Sequence, residues 1–420
     1  MSSLPNALLT LALIGSPSVG QGSAEPESTA GRYVRLLESE KDSILKLQIA
    51  VRSFKKEGAP EIQLAGAMHI GEPSFYKQLQ ERLDALDLVL FESVKPPGAG
   101  RPEHDLSPPD DPMRVLITRG RIRFMAGAVM QYRELKGTLP HHLGAVAAEL
   151  PADIRSLVAI ARKDAWGRPF KLAAAPAQTQ RQFDIQSLGA DGLIGGEKFN
   201  ADLCFSDQDD LSDSERGKRG GLQADLADAL GLVFQLEAMN HAGANWRNSD
   251  LSIDQVEARM ANSGVAGDAL FDSLSGESFL AKAGGYVIKL MGSFNYGSAV
   301  MKLVGVETLS RADQLIAQVP GEMKDMFEVL LISRNDAVIG DLKAAIADSN
   351  GYQTIGVIYG AAHMANLEER ITGEMGYQIS GETWLSAVTL DLDNLGIPPT
   401  QARFIRKAIK NAIDKQLGGW

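Results

Sequence analysis

Length, composition and charge exclude several classes of protein. The chain has 420 residues, of which 44% are hydrophobic and 23% charged, an ordinary globular composition that is long enough for two or three domains. Its formal net charge of −11 argues against a general nucleic-acid or anionic-membrane binder, because both need a basic surface. Cys204 is the only cysteine, which excludes an intramolecular disulfide and thiolate zinc sites.

The first 30 residues have the pattern of a secretory signal peptide. An apolar run from Leu8 to Ile14 gives way to small residues, and Gly22-Ser23-Ala24 resembles a signal-peptidase site. No Lys or Arg precedes the run, which departs from that pattern, and the alternative is a disordered tail. We therefore expect a periplasmic or secreted protein, or a cytoplasmic one if the run is not a signal. No later segment has 18 consecutive apolar residues, so no membrane span is expected in the mature chain.

The next segment predicts strand, strand, helix and strand. Apolar residues alternate from Leu45 to Val51, which predicts a half-buried strand, and a turn joins it to a second strand over Glu61–His69. Pro73 is typical of the first turn of a helix, and the apolar run Leu88–Phe91 predicts a buried parallel strand. This order implies a right-handed crossover within an α/β fold that has a mixed sheet and flanking helices.

Two polar stretches divide the chain. Residues 95–112 (KPPGAGRPEHDLSPPDDP) and 206–221 (SDQDDLSDSERGKRGG) have the composition of linkers. They bracket a segment that we predict to be an inserted small α+β domain at 113–213. Residues 31–112 and 214–420 then form one discontinuous domain.

The second half of the chain predicts helices and a further strand. Val357–Tyr359 reads as a buried strand, and Leu367, Ile371 and Met375 recur at helical spacing after it. The C-terminal stretch QARFIRKAIKNAIDKQLGGW predicts an amphipathic packing helix.

Two Gly-x-x-His motifs lie where predicted strands meet predicted helices. GAMHIGEPSF contains Gly66 and His69, and YGAAHMANLEER contains Gly360 and His363. Ligands bind outside the carboxyl ends of strands in such sheets, and glycine lets backbone or ligand approach closely. One such motif is weak, because a lone buried histidine is usually a core residue, but its repetition favours a functional site.

A glutamate, Glu92, and an arginine, Arg334, accompany these motifs. Glu92 ends the strand that follows His69, so neighbouring strands would bring the two side chains together. Two imidazoles and a carboxylate suit a divalent transition metal of the Mn, Co or Zn class. Alternatively, Glu92 or a histidine is a general base rather than a ligand. Arg334 follows the apolar run MFEVLLIS, where it either extends to solvent or is a fixed cation that stabilises developing negative charge.

These stretches resemble the TraB/PrgY/GumN family, which includes the Tiki proteases. The resemblance rests on GAMHIGEPSFYKQLQERLDALDLVLFES, GLVFQLEAMNHAGANWRNSDLSIDQVEARM, SRNDAVIGDL and IGVIYGAAHMANLEERITGEMGY, in that order. It implies metal-dependent peptide hydrolysis, as in the Tiki branch. It also implies that His69, Glu92 and His363 are the metal or catalytic set and that Arg334 matches the family's arginine.

The bracketed segment resembles a different family, the globular domain of the major pseudopilin of type II secretion. The motifs are MQYRELKGTLP, KDAWGRPFKL and FDIQSLGADGLIGGEKFNADL. One departure is decisive: pseudopilins begin with a long apolar helix, but here MRVLITRGRIRFMAGAV contains four arginines. This helix cannot serve as the membrane-spanning core of a pseudopilus. We therefore interpret the segment as a pseudopilin-like domain that is inserted into a different protein.

A Gly-rich loop in this segment is a candidate calcium site. Asp191 and Asp202 are hard oxygen donors, and backbone carbonyls such as that of Leu188 can complete a calcium shell. Glu197 could contribute, although Lys198 beside it weakens the case. In the pseudopilin family this loop binds calcium. The alternative is a surface turn held by aspartate hydrogen bonds.

Three functions follow as hypotheses. The first is an exported metal-dependent hydrolase of peptide or protein substrates that carries a calcium-binding module. The second is a non-catalytic peptide-binding or inhibitory protein. The third is an accessory component that docks to a type II secretion or pilus-like machine through residues 113–213.

Overall fold

The structure is a computed structural model that describes most of the chain. The described residues are 33–38, 43–68, 70–95, 98–150, 152–179, 181–211, 233–262, 298–310, 321–348 and 351–417. The predicted signal segment at 1–30 and the candidate ligand His69 lie outside these ranges.

Strands and helices are interspersed along the described residues. The strands are β1 (Val34–Glu38), β2 (Ile44–Lys55), β3 (Glu61–Ala67), β4 (Ile70–Gly71), β5 (Leu88–Phe91), β6 (Lys171–Ala173), β7 (Asp184–Ser187), β8 (Leu203–Cys204), β9 (Val233–Phe234), β10 (Trp246–Asn248), β11 (Thr354–Gly360) and β12 (Gln378–Asp391). The helices are α1 (Pro73–Asp84), α2 (Asp111–Lys136), α3 (Leu143–Glu149), α4 (Ala152–Ala161), α5 (Gln235–Ala238), α6 (Ile253–Asn262), α7 (Ser298–Leu309), α8 (Gly321–Ile346), α9 (Ala361–Gly373) and α10 (Pro399–Leu417).

A mixed sheet with flanking helices forms the centre of the molecule, as predicted. Strands β3, β11, β5 and β10 are neighbours in that order and run parallel. Strand β11 lies between β3 and β5, so the strands that precede His69 and Glu92 are not direct neighbours. All four strands nevertheless end at one edge of the sheet, and this carboxyl edge positions the candidate site.

The predicted hairpin is confirmed, but its first strand is more deeply buried than expected. Strand β2 pairs antiparallel with β3 and also with β1 and β12. Ile49 and Val51 face the core on one side of the sheet, while Ala50 and Phe54 face the core on the other. The half-buried prediction is therefore wrong, because helices cover both faces of β2.

Helices cover the two faces of the sheet separately. Helix α1 buries Phe75, Leu79 and Leu83 on one face. Helices α8 and α9 cover the other, where Val338 and Leu367 pack beneath the sheet. These apolar stripes recur at helical spacing, and this is why the sequence predicts α1 and α9 correctly.

Residues 111–211 have a hydrophobic core of their own. Helices α2, α3 and α4 pack with the small antiparallel sheet β6-β7-β8 around Met125, Val129, Val146 and Ile185. Helix α2 is capped by Asp110, which accepts a hydrogen bond from the Met113 N–H at 3.0 Å. No helix in the described ranges is both long and apolar enough to cross a membrane.

The first predicted linker is ordered in its central part, which we call the strap (residues 98–105). Its Gly98 N–H donates to Asp254 at 2.7 Å, and its Gly98 carbonyl accepts from Arg121 of α2 at 2.6 Å. Ala99 is fully buried. The strap is therefore packed against α2 and α6 rather than being a free linker.

Candidate functional site

The carboxyl edge of the sheet gathers charged residues from distant parts of the sequence. In the parallel register, Phe91 pairs with Ile358 of β11 and with Asn248 of β10. Glu92 and Asp250 follow these strand ends, and Gly360 ends β11. The carboxyl ends of parallel strands meet at one edge, so these groups come together although they are far apart in sequence.

Arg334 joins the two carboxylates at this edge. It lies in the middle of α8, and its Nη2 donates to Glu92 at 2.5 Å and to Asp250 at 2.6 Å. Its Nε donates to the other oxygen of Asp250 at 3.0 Å. Burial alone would lower the pKa of Arg334, but the charges of Asp250 and Glu92 raise it well above its ordinary value. Arg334 does not extend to solvent; it is a buried cation in the site.

The start of α9 fixes the second oxygen of Glu92. The Gly360 N–H donates to Glu92 Oε2 at 2.5 Å, at the helix terminus where free N–H groups favour a negative charge. A Cβ at position 360 would lie 3.3 Å from that same oxygen. Gly360 thus allows the carboxylate to approach its backbone closely. A Cβ on Gly66 would instead press 2.8 Å from Ile49, so that glycine serves packing between strands.

His363 lies in the first turn of α9, three residues after the end of β11, and does not itself end the strand as predicted. Its Nε2 faces Glu92 Oε1 at 3.7 Å, and its side chain is about 9% exposed. Its Nδ1 lies 2.8 Å from Asn335 Oδ1. The Tyr359 ring packs edge-on against the imidazole, with 5.3 Å between ring centroids. Packing and hydrogen bonding therefore fix the orientation of the ring.

A second layer of buried polar residues lies behind this group. The Tyr359 hydroxyl donates to the Ser249 carbonyl, and the Ser249 hydroxyl donates to Asp341 at 2.7 Å. Burial raises the pKa of Tyr359 well above its ordinary value, so its hydroxyl remains a donor. The layer ties the ends of β10 and β11 to helix α8.

The strap covers the outer side of this layer of buried polar residues. Arg101 donates to Asp341 at 2.9 Å, and His104 Nε2 lies 3.3 Å from the same oxygen. Burial would raise the pKa of Asp341, but these hydrogen bonds, with that from Ser249, lower it overall. Lys95, just before the strap, donates to the Asp250 carbonyl. Burial lowers the pKa of Lys95 to about 8, although Asp250 and Asp341 oppose the change.

Of the four residues that the sequence predicts here, the structure brings three together: Glu92, Arg334 and His363. The fourth, His69, lies outside the described residues, two positions after the end of β3. Within the described part of the chain, no group of three or more His, Cys, Asp or Glu side chains forms a metal site.

Sequence reasoning missed the roles of Asp250, Asn335 and Tyr359. A weak signal existed for Asp250, since the polar pair Ser249-Asp250 directly follows β10. The short strand β10 has only three residues, however, and gives no usable periodicity.

The Gly-rich loop of the inserted segment carries the candidate calcium residues. Asp191 Oδ1 accepts from the Leu193 N–H at 2.9 Å, and Asp202 Oδ2 accepts from the Gly195 N–H at 3.0 Å. Asp202 Oδ1 is buried without a hydrogen-bond partner among the described residues. The Leu188 carbonyl accepts from the Gly192 N–H at 3.0 Å and keeps a second lone pair.

Buried aspartate bonds hold the base of this loop. Asp164 accepts from the backbone N–H groups of Trp166 and Arg168, and the Ser187 hydroxyl donates to its other oxygen at 2.8 Å. The Asp-x-Trp-Gly-x-Pro motif is therefore a turn that anchors β7 at the start of the Gly-rich loop.

Comparison with known proteins identifies this segment only. Residues 114–206 match the family model for type II secretion system protein G, which confirms the resemblance predicted for the inserted segment. The match covers less than a quarter of the chain. No curated protein and no solved structure matches the chain significantly. The chain therefore contains a segment similar to the type II secretion pseudopilin, set in a mixed α/β unit.

Proposed function

We propose that the α/β unit is a metal-dependent hydrolase of the TraB/Tiki type that acts on peptide or protein substrates. The carboxyl edge of its sheet would be the active site. His363 and Glu92 would hold a divalent transition metal of the Mn, Co or Zn class, and His69 would complete the set that the sequence predicts. The pseudopilin-like segment favours a periplasmic or secreted location.

The observation that carries this proposal is the orientation of His363 toward Glu92. The Asn335 amide nitrogen donates to Asn366 Oδ1 at 2.9 Å, so Asn335 Oδ1 is the atom that faces His363 Nδ1 at 2.8 Å. Nδ1 therefore carries a proton. In the neutral imidazole the lone pair of Nε2 is directed toward Glu92 Oε1, 3.7 Å away, whereas a second proton there would make an ion pair with Glu92. Two electron-pair donors that face each other favour a cation between them. A second hydrogen bond that fixes the histidine tautomer is also typical of metal ligands.

The chemistry of the remaining groups fits hydrolysis. Glu92 accepts from Arg334 on Oε1 and from the Gly360 N–H on Oε2, so its carboxylate is held in place beside His363. When bound, the metal would lower the pKa of a coordinated water to near 7. Arg334 is a fixed positive charge beside Glu92 and can stabilise an oxyanion of a substrate carbonyl. Glu92 as general base, rather than ligand, remains the alternative role.

Elemental analysis of the purified full-length chain tests the proposal. We expect about one transition-metal ion per wild-type chain and a large loss in His363→Ala and Glu92→Gln. His141→Ala is the matched control, because His141 is an exposed histidine of the inserted segment and should leave the metal content unchanged. Equal metal content in wild type and His363→Ala would contradict a metal site. Cleavage of fluorogenic casein peptides with added Mn²⁺, Co²⁺ or Zn²⁺ tests catalysis separately.

A second candidate function follows from the inserted segment. Its similarity to type II secretion protein G favours an accessory component that docks to a secretion machine, with the α/β unit as a peptide-binding or inhibitory domain. A chain that binds metal and peptide without cleaving the peptide would support this alternative.

We further propose that the Gly-rich loop binds calcium through Asp191, Asp202 and the Leu188 carbonyl. The buried, unpaired oxygen of Asp202 supports this site.

A further inference from the structure

Asp250 holds the guanidinium of Arg334 along one edge. Asp250 Oδ1 and Oδ2 accept from Arg334 Nε at 3.0 Å and from Nη2 at 2.6 Å, which is the parallel two-bond geometry of a strong Arg–carboxylate pair. The Asp250 side chain has no exposed surface, and that of Arg334 is 12% exposed. The pair is thus shielded from water at the base of the site.

Asp250 is itself rigidly mounted at the end of β10. Its Oδ1 accepts from the Leu251 N–H at 2.7 Å, and its own N–H donates to Asn248 Oδ1 at 3.1 Å. Lys95 donates to its carbonyl from the other side. A carboxylate fixed in this way determines where the guanidinium plane lies.

This arrangement leaves one nitrogen of Arg334 available. Nη1 makes no hydrogen bond with any described residue and is not among the fully buried unpaired atoms. Without Asp250, the guanidinium of Arg334 could rotate and donate to both oxygens of Glu92. Arg334 would then also donate to Glu92 Oε2, which accepts from the Gly360 N–H, and Nη1 would no longer be left for a bound group.

We propose that Asp250 is the positioning residue of the site. It holds Arg334 so that Nη1 is left to donate to a substrate oxygen and Glu92 receives a single arginine bond. This inference rests on the proposed hydrolase function and adds to it the binding of an anionic or developing oxyanion group by Nη1.

The test compares Asp250→Asn with wild type in the full-length chain. If the proposal holds, kcat toward a fluorogenic casein peptide falls by about 10²-fold, while KM and bound metal change little. The melting temperature should fall, because Arg334 loses its buried partner, but melting should stay cooperative. Asp336→Asn is the matched control. Asp336 lies on the surface of α8, the helix that carries Arg334, and pairs with a different arginine, Arg370, at 2.6 Å. Wild-type kcat in Asp250→Asn would overturn the proposal. If that variant does not fold, Arg334→Lys replaces it and must show the same loss of kcat with metal retained.

A second readout does not depend on activity. In a ¹⁵N-arginine NMR spectrum, the Arg334 Nε–H signal is identified by its loss in Arg334→Lys. Inorganic phosphate should shift that signal in wild type, and the response should weaken by about tenfold or more in Asp250→Asn. Absence of a phosphate response in wild type, or the same response in both proteins, would overturn the positioning role. A wild-type chain that cleaves no peptide but shows this difference would refute the hydrolase and keep the role of Asp250.

Discussion

The hydrogen bond between His363 Nδ1 and Asn335 Oδ1 should affect how tightly the site binds a metal ion. Replacing Asn335 by Leu removes the acceptor from Nδ1, so the imidazole can rotate and change tautomer. We expect Asn335→Leu to weaken Mn²⁺ binding about 10- to 100-fold, measured by isothermal titration calorimetry. Asn335→Asp keeps an acceptor at the same position and should lose much less. Unchanged affinity in both variants would show that the pair does not position a metal ligand.

The burial of Lys95 should give the free energy of unfolding an unusual dependence on pH. Burial lowers its pKa to about 8 in the folded chain, against the charges of Asp250, Asp341 and Glu103, while Arg101 lowers it further. The ordinary pKa of lysine is near 10.4, so between about pH 8 and 10 the unfolded chain binds more protons at this residue. Stability contributed by Lys95 should therefore rise with pH in that window.

Urea unfolding of wild type and Lys95→Met measures this effect. The stability difference between the two should shift in favour of wild type by about 2 kcal/mol from pH 8 to pH 10, because each pKa unit corresponds to about 1.4 kcal/mol. A difference that stays constant with pH would mean that Lys95 keeps its ordinary pKa in the folded chain.

The sequence could single out Glu92, Arg334 and His363 as candidates because each lies next to a recognisable strand, helix or motif. It could not identify Asp250 as the partner of Arg334, since these residues lie 84 positions apart in the chain. Only the parallel pairing of β10 with β5 brings Asp250 beside Glu92. Local periodicity carries no information about such a pairing.

At the scale of elements, periodicity predicted individual strands and helices but not their order in the sheet. Apolar spacing identified α1, β5 and α9, because a buried face imposes its own period. Nothing in the spacing indicates that β11 lies between β3 and β5. The strap was read as a linker, since the burial of its residues depends on contacts with α6 and α8, more than 100 positions away.

The Gly-rich loop between β7 and β8 predicts a calcium-dependent transition. Asp191 and Asp202 repel each other without a cation, and the buried oxygen of Asp202 has no partner in the described part of the chain. Calcium at 100 times its dissociation constant should stabilise this unit by about 2.7 kcal/mol. For a unit of this size the melting temperature should rise on the order of 10 °C.

Calorimetry of the full-length chain in calcium and in EGTA measures the shift. Asp202→Ala should abolish it, whereas Asp209→Asn, a change at a nearby exposed aspartate, should not. Melting at one temperature with calcium and with chelator would make the loop a turn held only by its aspartate hydrogen bonds.

At the scale of the whole molecule, the hydrophobic cores are separate. The cluster within residues 115–211 shares no side chain with the clusters around the central sheet. Where α2 approaches α6, a cleft of about 300 Å³ lies between them, lined by Met113, Ile117, Gln255 and Ala258. The domain boundaries at 113 and 213 stay a prediction, which rests on the polar composition of the two flanking stretches. The sequence could not predict that α2 also holds the strap.

This separation predicts that residues 113–213 can be replaced by a short Gly-Ser linker without unfolding the remainder. A unit with its own core can be removed when few contacts cross its boundary. The contact at risk is the bond from Arg121 to the Gly98 carbonyl, whose loss should cost about 1–3 kcal/mol. Urea unfolding followed by circular dichroism should therefore show one cooperative transition at somewhat lower urea. Arg121→Ala in the full-length chain is the control, because it removes that bond while the segment stays in place, together with the bonds from Arg121 to the Lys163 and Asp164 carbonyls within the segment. A shortened chain that unfolds gradually, while Arg121→Ala remains cooperative, would mean that the α/β unit needs the inserted segment to fold.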